Sequence, residues 1–264
     1  MERHFKGVQP HINIEEIEAE IAFLPGAPER ALEIAKKFSS YEKVAEQREF
    51  VTYKGEIEGK NVCVTSTGIG CPSAAIVVEE LANCGVHTFI RVGTTGAIQE
   101  DIELGDVIIA EATVRDDGTT KEYTGEEYPA IANFDVVKAL LKSAEEVKEE
   151  RGMNFHVGIV RTNDAFYGAP DFRGIVERYQ RLGVLSFEME CSAVFTVARL
   201  RGLKAGAVLG VVGNIATGEH AYKDPEKEPL AHEYKKKAEE AIENAIKVAV
   251  GSVKYLYAHT RISS

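Results

Sequence analysis

Residues 204–214, KAGAVLGVVGN, are almost continuously apolar and show no polar alternation. A strand with one wet face alternates, whereas a strand covered on both faces does not. TFIRVGTTGAI (88–98), DVIIAEATVR (106–115) and NVCVTSTGIG (61–70) have the same character, and IAFLPG (21–26), FHVGIVRTND (155–164) and VLSFEME (184–190) add shorter β-rich runs. Helical patterns separate them at about 28–38, 72–84, 133–151, 171–181, 191–201 and 229–257. Pro72 suits a first helical turn, Gly85 an end, and Asn133 or Asp135 a cap. Doubly covered strands alternating with helices predict an α/β fold, a three-layer αβα sandwich, as one domain over residues 1–264. No internal repeat or linker interrupts it.

The net charge of −11 argues against a general nucleic-acid surface. An anionic ligand must therefore be drawn in by local positive charge. Cys63, Cys71, Cys84 and Cys191 form no CxxC pair and no zinc spacing, and read as buried free thiols. MERHFKGVQP lacks an apolar signal core, and no apolar run approaches the ~18 residues that span a bilayer. The expected setting is cytoplasmic, with no membrane partner.

Arg91 stands inside an apolar strand, and such a charge is costly unless paired. Glycine-rich turns at the carboxyl ends of strands expose N–H groups to anions. LPGAPER supplies Gly26 and Arg30, RVGTTGAI supplies Arg91, Gly93, Thr94, Thr95 and Gly96, and Arg48 in EQREF is a third arginine outside helical charge runs. Forked donors, hydroxyls and main-chain N–H groups together suit phosphate.

In FEMEC, strand alternation points Glu188 and Glu190 the same way, with Met189 between them. The pair suits the cis-diol of a ribose, with a glycosidase acid/base pair or an exposed strand end as the other readings. Phe166 and Tyr167 end another strand, where an aromatic can stack on a nucleobase or simply pack in the core. TGIG (67–70) fails the dinucleotide fingerprint, because Ser73 stands where a glycine is needed. The charged segment 216–229 reads as a solvated loop, a flap over the site being the alternative.

Taken as a set, RVGTTGAI, STGIG-x-PS, VEELA and EMEC resemble the hexameric nucleoside phosphorylase family, most closely its uridine-cleaving members, over about residues 11–250. The resemblance implies a central mixed, partly barrel-like sheet and phosphorolysis of a nucleoside to free base and ribose 1-phosphate. It implies a phosphate site of Gly26, Arg30, Arg91 and Thr94, with Arg48 joining from a neighbouring subunit. Arg30, Arg91 and Glu190 carry the catalysis, Glu190 holding the ribose diol with Met189 against the sugar. His11 would reach the 5′-hydroxyl across a dimer interface. Phe166, Phe172, Thr95, Gly96, Glu188 and Asn214 complete the expected nucleoside contacts. No cofactor is required. Inorganic phosphate is the co-substrate, and Glu49, Ile69 and Ser73 match positions that hold a structural potassium ion in some members. The expected assembly is a hexamer, a trimer of dimers.

The base is less constrained. Purine-cleaving members carry an aspartate where Asn214 stands, which disfavours 6-aminopurines. Pro170 and Phe172 replace the glutamine and arginine that read uracil, with Arg173 one position away, and Ala27 replaces an aspartate. Uridine is the leading substrate. Inosine or guanosine is the alternative, followed by a hydrolytic nucleosidase and a nucleoside-binding regulatory protein without turnover.

Overall fold

In the computed structural model, which describes residues 6–257 apart from Ala169 and Pro225, each apolar run read as a strand forms one. In chain order the elements are β1 (Ile21–Leu24), α1 (Pro28–Ala35), β2 (Ser40–Gln47), β3 (Phe50–Ile57), β4 (Lys60–Thr65) and α2 (Cys71–Asn83). Then come β5 (Thr88–Ala97), β6 (Val107–Asp116), α3 (Thr119–Tyr123), β7 (Ala130–Ile131), α4 (Phe134–Arg151) and β8 (Phe155–Asn163). The chain continues with α5 (Phe172–Arg181), β9 (Ser186–Glu188), α6 (Cys191–Leu200), β10 (Lys204–Asn214), β11 (Glu219–His220), α7 (Ala231–Gly251) and α8 (Val253–Tyr257).

β10 pairs in parallel with β5 and antiparallel with β6. β6 runs parallel to β8, β8 parallel to β9, and β9 returns antiparallel to β5. These five strands close on themselves, while β1, β4, β3 and β2 extend from β5 as an open wing. Register shifts at Val211/Gly213 in β10 and Ala110/Ala112 in β6 supply local bends of the kind that closure requires. The sheet is therefore mixed and partly barrel-like.

The strands separate two apolar layers. Ala22 and Leu24 of β1 face Leu81 and Val78 of α2 and Phe195 of α6. Ile21 and Phe23 point the other way, into Ile34 of α1, Leu140 of α4 and Ala245 of α7. This is the three-layer arrangement that the unalternating strands predict. Asn133 caps α4 by accepting from the Asp135 N–H at 3.1 Å, and Gly152 ends it in the left-handed region at φ 69°.

Several segments depart from the sequence reading. Residues 40–57 show no apolar run, yet they form the β2–β3 hairpin, because an edge strand with an exposed face needs little hydrophobic patterning. The C-terminal helical pattern is broken at Ser252 into α7 and α8. Among the described residues, no helix is long and apolar enough to cross a membrane.

Candidate active site

Arg91 lies on β5, and its guanidinium pairs with the Glu190 carboxylate through Nη2 and Oε2. Nη1 donates to the Leu24 carbonyl at 3.3 Å, and Nε, fully buried, has no acceptor among the described residues. The other Glu190 oxygen accepts from the Gly70 N–H at 2.7 Å. Arg91 and Glu190 are each 4 % exposed. Burial opposes the Arg91 charge, but Glu190 and then Glu188 outweigh it and raise the pKa above the usual arginine value.

RVGTTGA lies inside β5 and forms no turn, and its Gly93 makes room for the pair. A Cβ on Gly93 would stand 3.0 Å from Arg91 Nη2 and 2.8 Å from Leu209 Cδ2, so only a glycine lets the guanidinium fold back over its own strand. Gly26 faces Arg91 Nη1 at 3.8 Å from where its Cβ would be, and its carbonyl accepts from the Gly68 N–H at 3.0 Å. Arg30, in the first turn of α1, lies within electrostatic reach of the pair. Burial and then the nearby Arg91 charge push its pKa down, against Glu33, Tyr222 and Glu190. Two guanidiniums within electrostatic reach of each other form a locus that an anion would stabilise.

Glu188 and Glu190 do not share a direction as alternation predicts. β9 ends at Glu188, and Glu190 has turned to φ −140°, ψ −22° at the start of α6. Glu188 is 4 % exposed and accepts from Thr162 Oγ1 and from the Glu190 and Cys191 N–H groups at 2.8 and 2.9 Å. It therefore clamps the turn that aims Glu190. Burial and then the Glu190 charge raise its pKa, with Arg91 opposing. Met189 lies between them, and its carbonyl accepts from Cys71 Sγ at 3.3 Å.

Thr94 is half-buried and its hydroxyl makes no hydrogen bond among the described residues, whereas Thr95 Oγ1 is committed to the Phe187 carbonyl at 2.8 Å. Gly96 lies under Ile215. Asn214 is a correction to the expected nucleoside contacts. Its Nδ2 donates to the Gln99 and Ile102 carbonyls, both at 2.8 Å, and its Oδ1 accepts from Ala216 and Thr217 N–H groups. Its hydrogen-bonding capacity is spent on holding the end of β10. Arg173 is also removed as a base reader: its side chain is 93 % exposed on α5 and pairs with Glu177.

Phe166 is exposed, with its ring 5.2 Å from Tyr167 and 6.4 Å from Tyr222. Tyr222 belongs to the segment read as a solvated loop. The two-residue strand β11 pairs with β10 and turns that segment back, and Tyr222, 70 % exposed, sets its ring edge-on to Phe166. An isolated tyrosine in a charged stretch gave no signal for this. Phe172 packs on Phe187 at 6.4 Å.

Arg161 is a further buried arginine, one that no motif in the sequence singles out. It lies in β8, its Nε donates to Asp116 Oδ2 at 2.7 Å, and its guanidinium stacks on Tyr179 and Phe187. Burial raises the Asp116 pKa, but hydrogen bonds from Arg161 and Tyr179 win and hold it below the usual carboxylate range.

Two expected contributors stand apart. Arg48 is exposed at the β2–β3 turn with φ 55°, and His11 binds Glu80 through Nδ1 at 2.6 Å with its ring half-exposed. Ser73 Oγ donates to Glu49 Oε1 at 3.2 Å beside Gly68, and Ile69 is exposed.

A closed five-strand barrel lies inside an αβα sandwich, with the buried Arg91–Glu190 pair between β5 and the start of α6 and Arg30 within electrostatic reach of both. The chain belongs to the phosphorylase superfamily, whose profile matches residues 20–254. A guanosine phosphorylase of Halorubrum lacusprofundi is 40 % identical over 246 residues, 93 % of this chain and 98 % of that one. A uridine phosphorylase of Thermococcus kodakarensis is 43 % identical over 226 residues, 81 % of this chain and 80 % of that one. The crystal structure of a Vibrio fischeri uridine phosphorylase superposes with a TM-score of 0.82 at 34 % identity, covering 94 % of this chain and 97 % of that one.

Proposed function

We propose that this chain is a pentosyltransferase that splits a nucleoside, uridine first, with inorganic phosphate into free base and ribose 1-phosphate. The buried Arg91–Glu190 pair, with the Arg30 charge within electrostatic reach of it, carries the reading. Superfamily membership and relatives named for uridine and guanosine support it. The guanosine-named relative makes a 6-oxopurine nucleoside the second reading.

In this reading Arg30, Arg91, Thr94, Gly26 of the β1–α1 turn and Gly93 of β5 hold phosphate below C1′. Glu190 shares Arg91 with the phosphate and keeps a lone pair on each oxygen for the ribose 2′- and 3′-hydroxyls. Met189 lies against the sugar and Phe166 against the base. A phosphate oxygen forms its bond to C1′ as the C1′–N bond breaks, and the bonding pair leaves with the base. Positive charge develops on the ribosyl centre, where the held phosphate dianion stabilises it. Uracil leaves as an anion delocalised onto its carbonyl oxygens, so it needs donors rather than a strong acid. No covalent enzyme intermediate enters this scheme.

The finer parts of the reading concern assembly. Arg48 and His11 both present their side chains at the surface, which supports a homodimer in which each subunit completes its neighbour's site, and a hexamer built from such dimers. Glu49 and Ser73, in contact through Ser73 Oγ, with Ile69 beside them, would contribute oxygen ligands to a structural potassium ion shared with the neighbouring copy. A cytoplasmic setting agrees with four buried free thiols.

The test is base release from uridine, thymidine, inosine, guanosine and adenosine, with and without phosphate. Release from uridine that requires phosphate is expected. Equal release without phosphate would make the protein a hydrolase, and tight binding without release would make it a binding protein.

A further inference from the structure

Pro170 and Phe172 offer no side-chain donor to a base, Asn214 is spent on backbone groups, and Arg173 faces solvent. Arg115 is likewise occupied, donating to the carbonyls of Thr120, Gly125 and Tyr128. Phosphorolysis of an oxo-base still leaves negative charge on an exocyclic oxygen, which a positioned donor would stabilise.

Arg161 is that donor, by its placement. Across the sheet, Gly96 of β5 pairs with Phe187 of β9, and Phe187 pairs with Arg161 of β8. This row crosses the barrel one residue before Glu188, whose carboxylate holds the turn carrying Glu190, and its side chains lie on the face opposite that of Glu188. Phe187 touches Phe172 on one side and carries the Arg161 guanidinium 4.7 Å from its ring centroid. Tyr179 stacks on the same guanidinium at 4.9 Å. Within its plane, Nε is fixed by Asp116 Oδ2 at 2.7 Å, which also accepts from the Tyr179 hydroxyl at 2.9 Å. Nη1 reaches Asn163 Oδ1 at 3.3 Å, the Tyr179 hydroxyl also lies within reach of the guanidinium, and Nη2 makes no geometrically satisfied hydrogen bond among the described residues. Two rings and an anchoring carboxylate thus hold a cation that is 9 % exposed and keep one end of its fork uncommitted.

The geometry points to Arg161 as the specificity-determining residue of the reaction, donating to the exocyclic carbonyl oxygen of the base, O4 of uracil or O6 of a 6-oxopurine. This rests on the phosphorylase reading above and names what that site selects. A guanidinium only donates, so the amino group of cytosine or adenine would meet donor with donor. A site built to hydrogen-bond one substrate group rejects the analogue that lacks it.

The test compares uridine with 2-pyrimidinone riboside, which lacks O4, in the wild-type protein and in Arg161→Gln. Where a 6-oxopurine nucleoside is the better substrate, inosine against purine riboside replaces that pair. The wild type is expected to favour the oxo-nucleoside by about 100-fold in kcat/KM. Arg161→Gln should lose most of that preference by slowing the oxo-nucleoside, with the analogue within about threefold and the phosphate KM unchanged. Asp116→Asn, which loosens the anchor and retains the cation, should fall between the two, and it decides the matter if Arg161→Gln does not fold. An equal loss on both substrates, or an unchanged preference, would overturn the assignment while leaving phosphorolysis intact. A wild-type protein that releases base from no nucleoside would overturn the phosphorylase reading and this assignment together.

Discussion

Replacing Arg91 by methionine keeps most of the side-chain volume and removes the cation that faces Glu190. Glu190 keeps the Gly70 N–H on one oxygen and loses its partner on the other, and Glu188 loses the same nearby charge. Removing one partner of a buried ion pair costs about 3–5 kcal/mol, because an uncompensated charge stays behind. At about 2–4 °C per kcal/mol for a chain of this size, the midpoint should fall by roughly 10 °C. The loss should also depend on pH. Burial and then Glu190 already raise the Glu188 pKa, and Arg91 opposes them, so the variant raises it further. A carboxyl with an elevated folded-state pKa binds its proton more tightly when folded. Its contribution is therefore complete below the unfolded value of about 4.3 and is lost as the pH rises through the folded value. Urea unfolding followed by circular dichroism should show the full deficit at pH 7.5 and a smaller one at pH 5. A deficit below about 1 kcal/mol at pH 7.5, or one that grows at pH 5, would refute the reasoning.

Phosphate at about 100 times its Kd should stabilise the wild type by about 2.7 kcal/mol in thermal unfolding, and Arg91→Met should lose most of that shift. Gly93→Ala forces a methyl group to 3.0 Å from Arg91 Nη2 and 2.8 Å from Leu209, so it should cost about 1–3 kcal/mol and raise the phosphate KM in initial-rate assays. Asn214→Asp would set a carboxylate against the Gln99 and Ile102 carbonyls, now at 2.8 Å, and should cost about 1–3 kcal/mol in urea unfolding without opening adenosine phosphorolysis. Asp117→Ala strands Ser192 Oγ and the Thr120 N–H and hydroxyl, which now donate at 2.6–2.8 Å. It should lower stability by about 3 kcal/mol in the same assay.

The layers of this fold are legible in the sequence because a strand covered on both faces cannot afford polar alternation, and β5, β6 and β10 have none. Arg30, Arg91 and Glu190 are legible for a related reason, since charges beside apolar strands persist only with partners. Arg161 carries the same signal as Arg91, an arginine inside an apolar strand, and only the fold packs Asp116, Tyr179 and Phe187 around it. The β2–β3 hairpin left no trace because its edge strand is exposed.

What the residues alone determined is which segments must be buried and which side chains need counter-charges, since both follow from the cost of taking chain and charge out of water. Who meets whom was decided by the tertiary structure. Arg91 finds Glu190 at a separation of 99 residues, Asn214 spends its amide on carbonyls from more than 100 residues away, and Glu188 and Glu190 part company because β9 stops between them. Strand alternation holds only while a strand lasts, and hydrogen-bonding capacity is shared out among neighbours that only the closed barrel brings together.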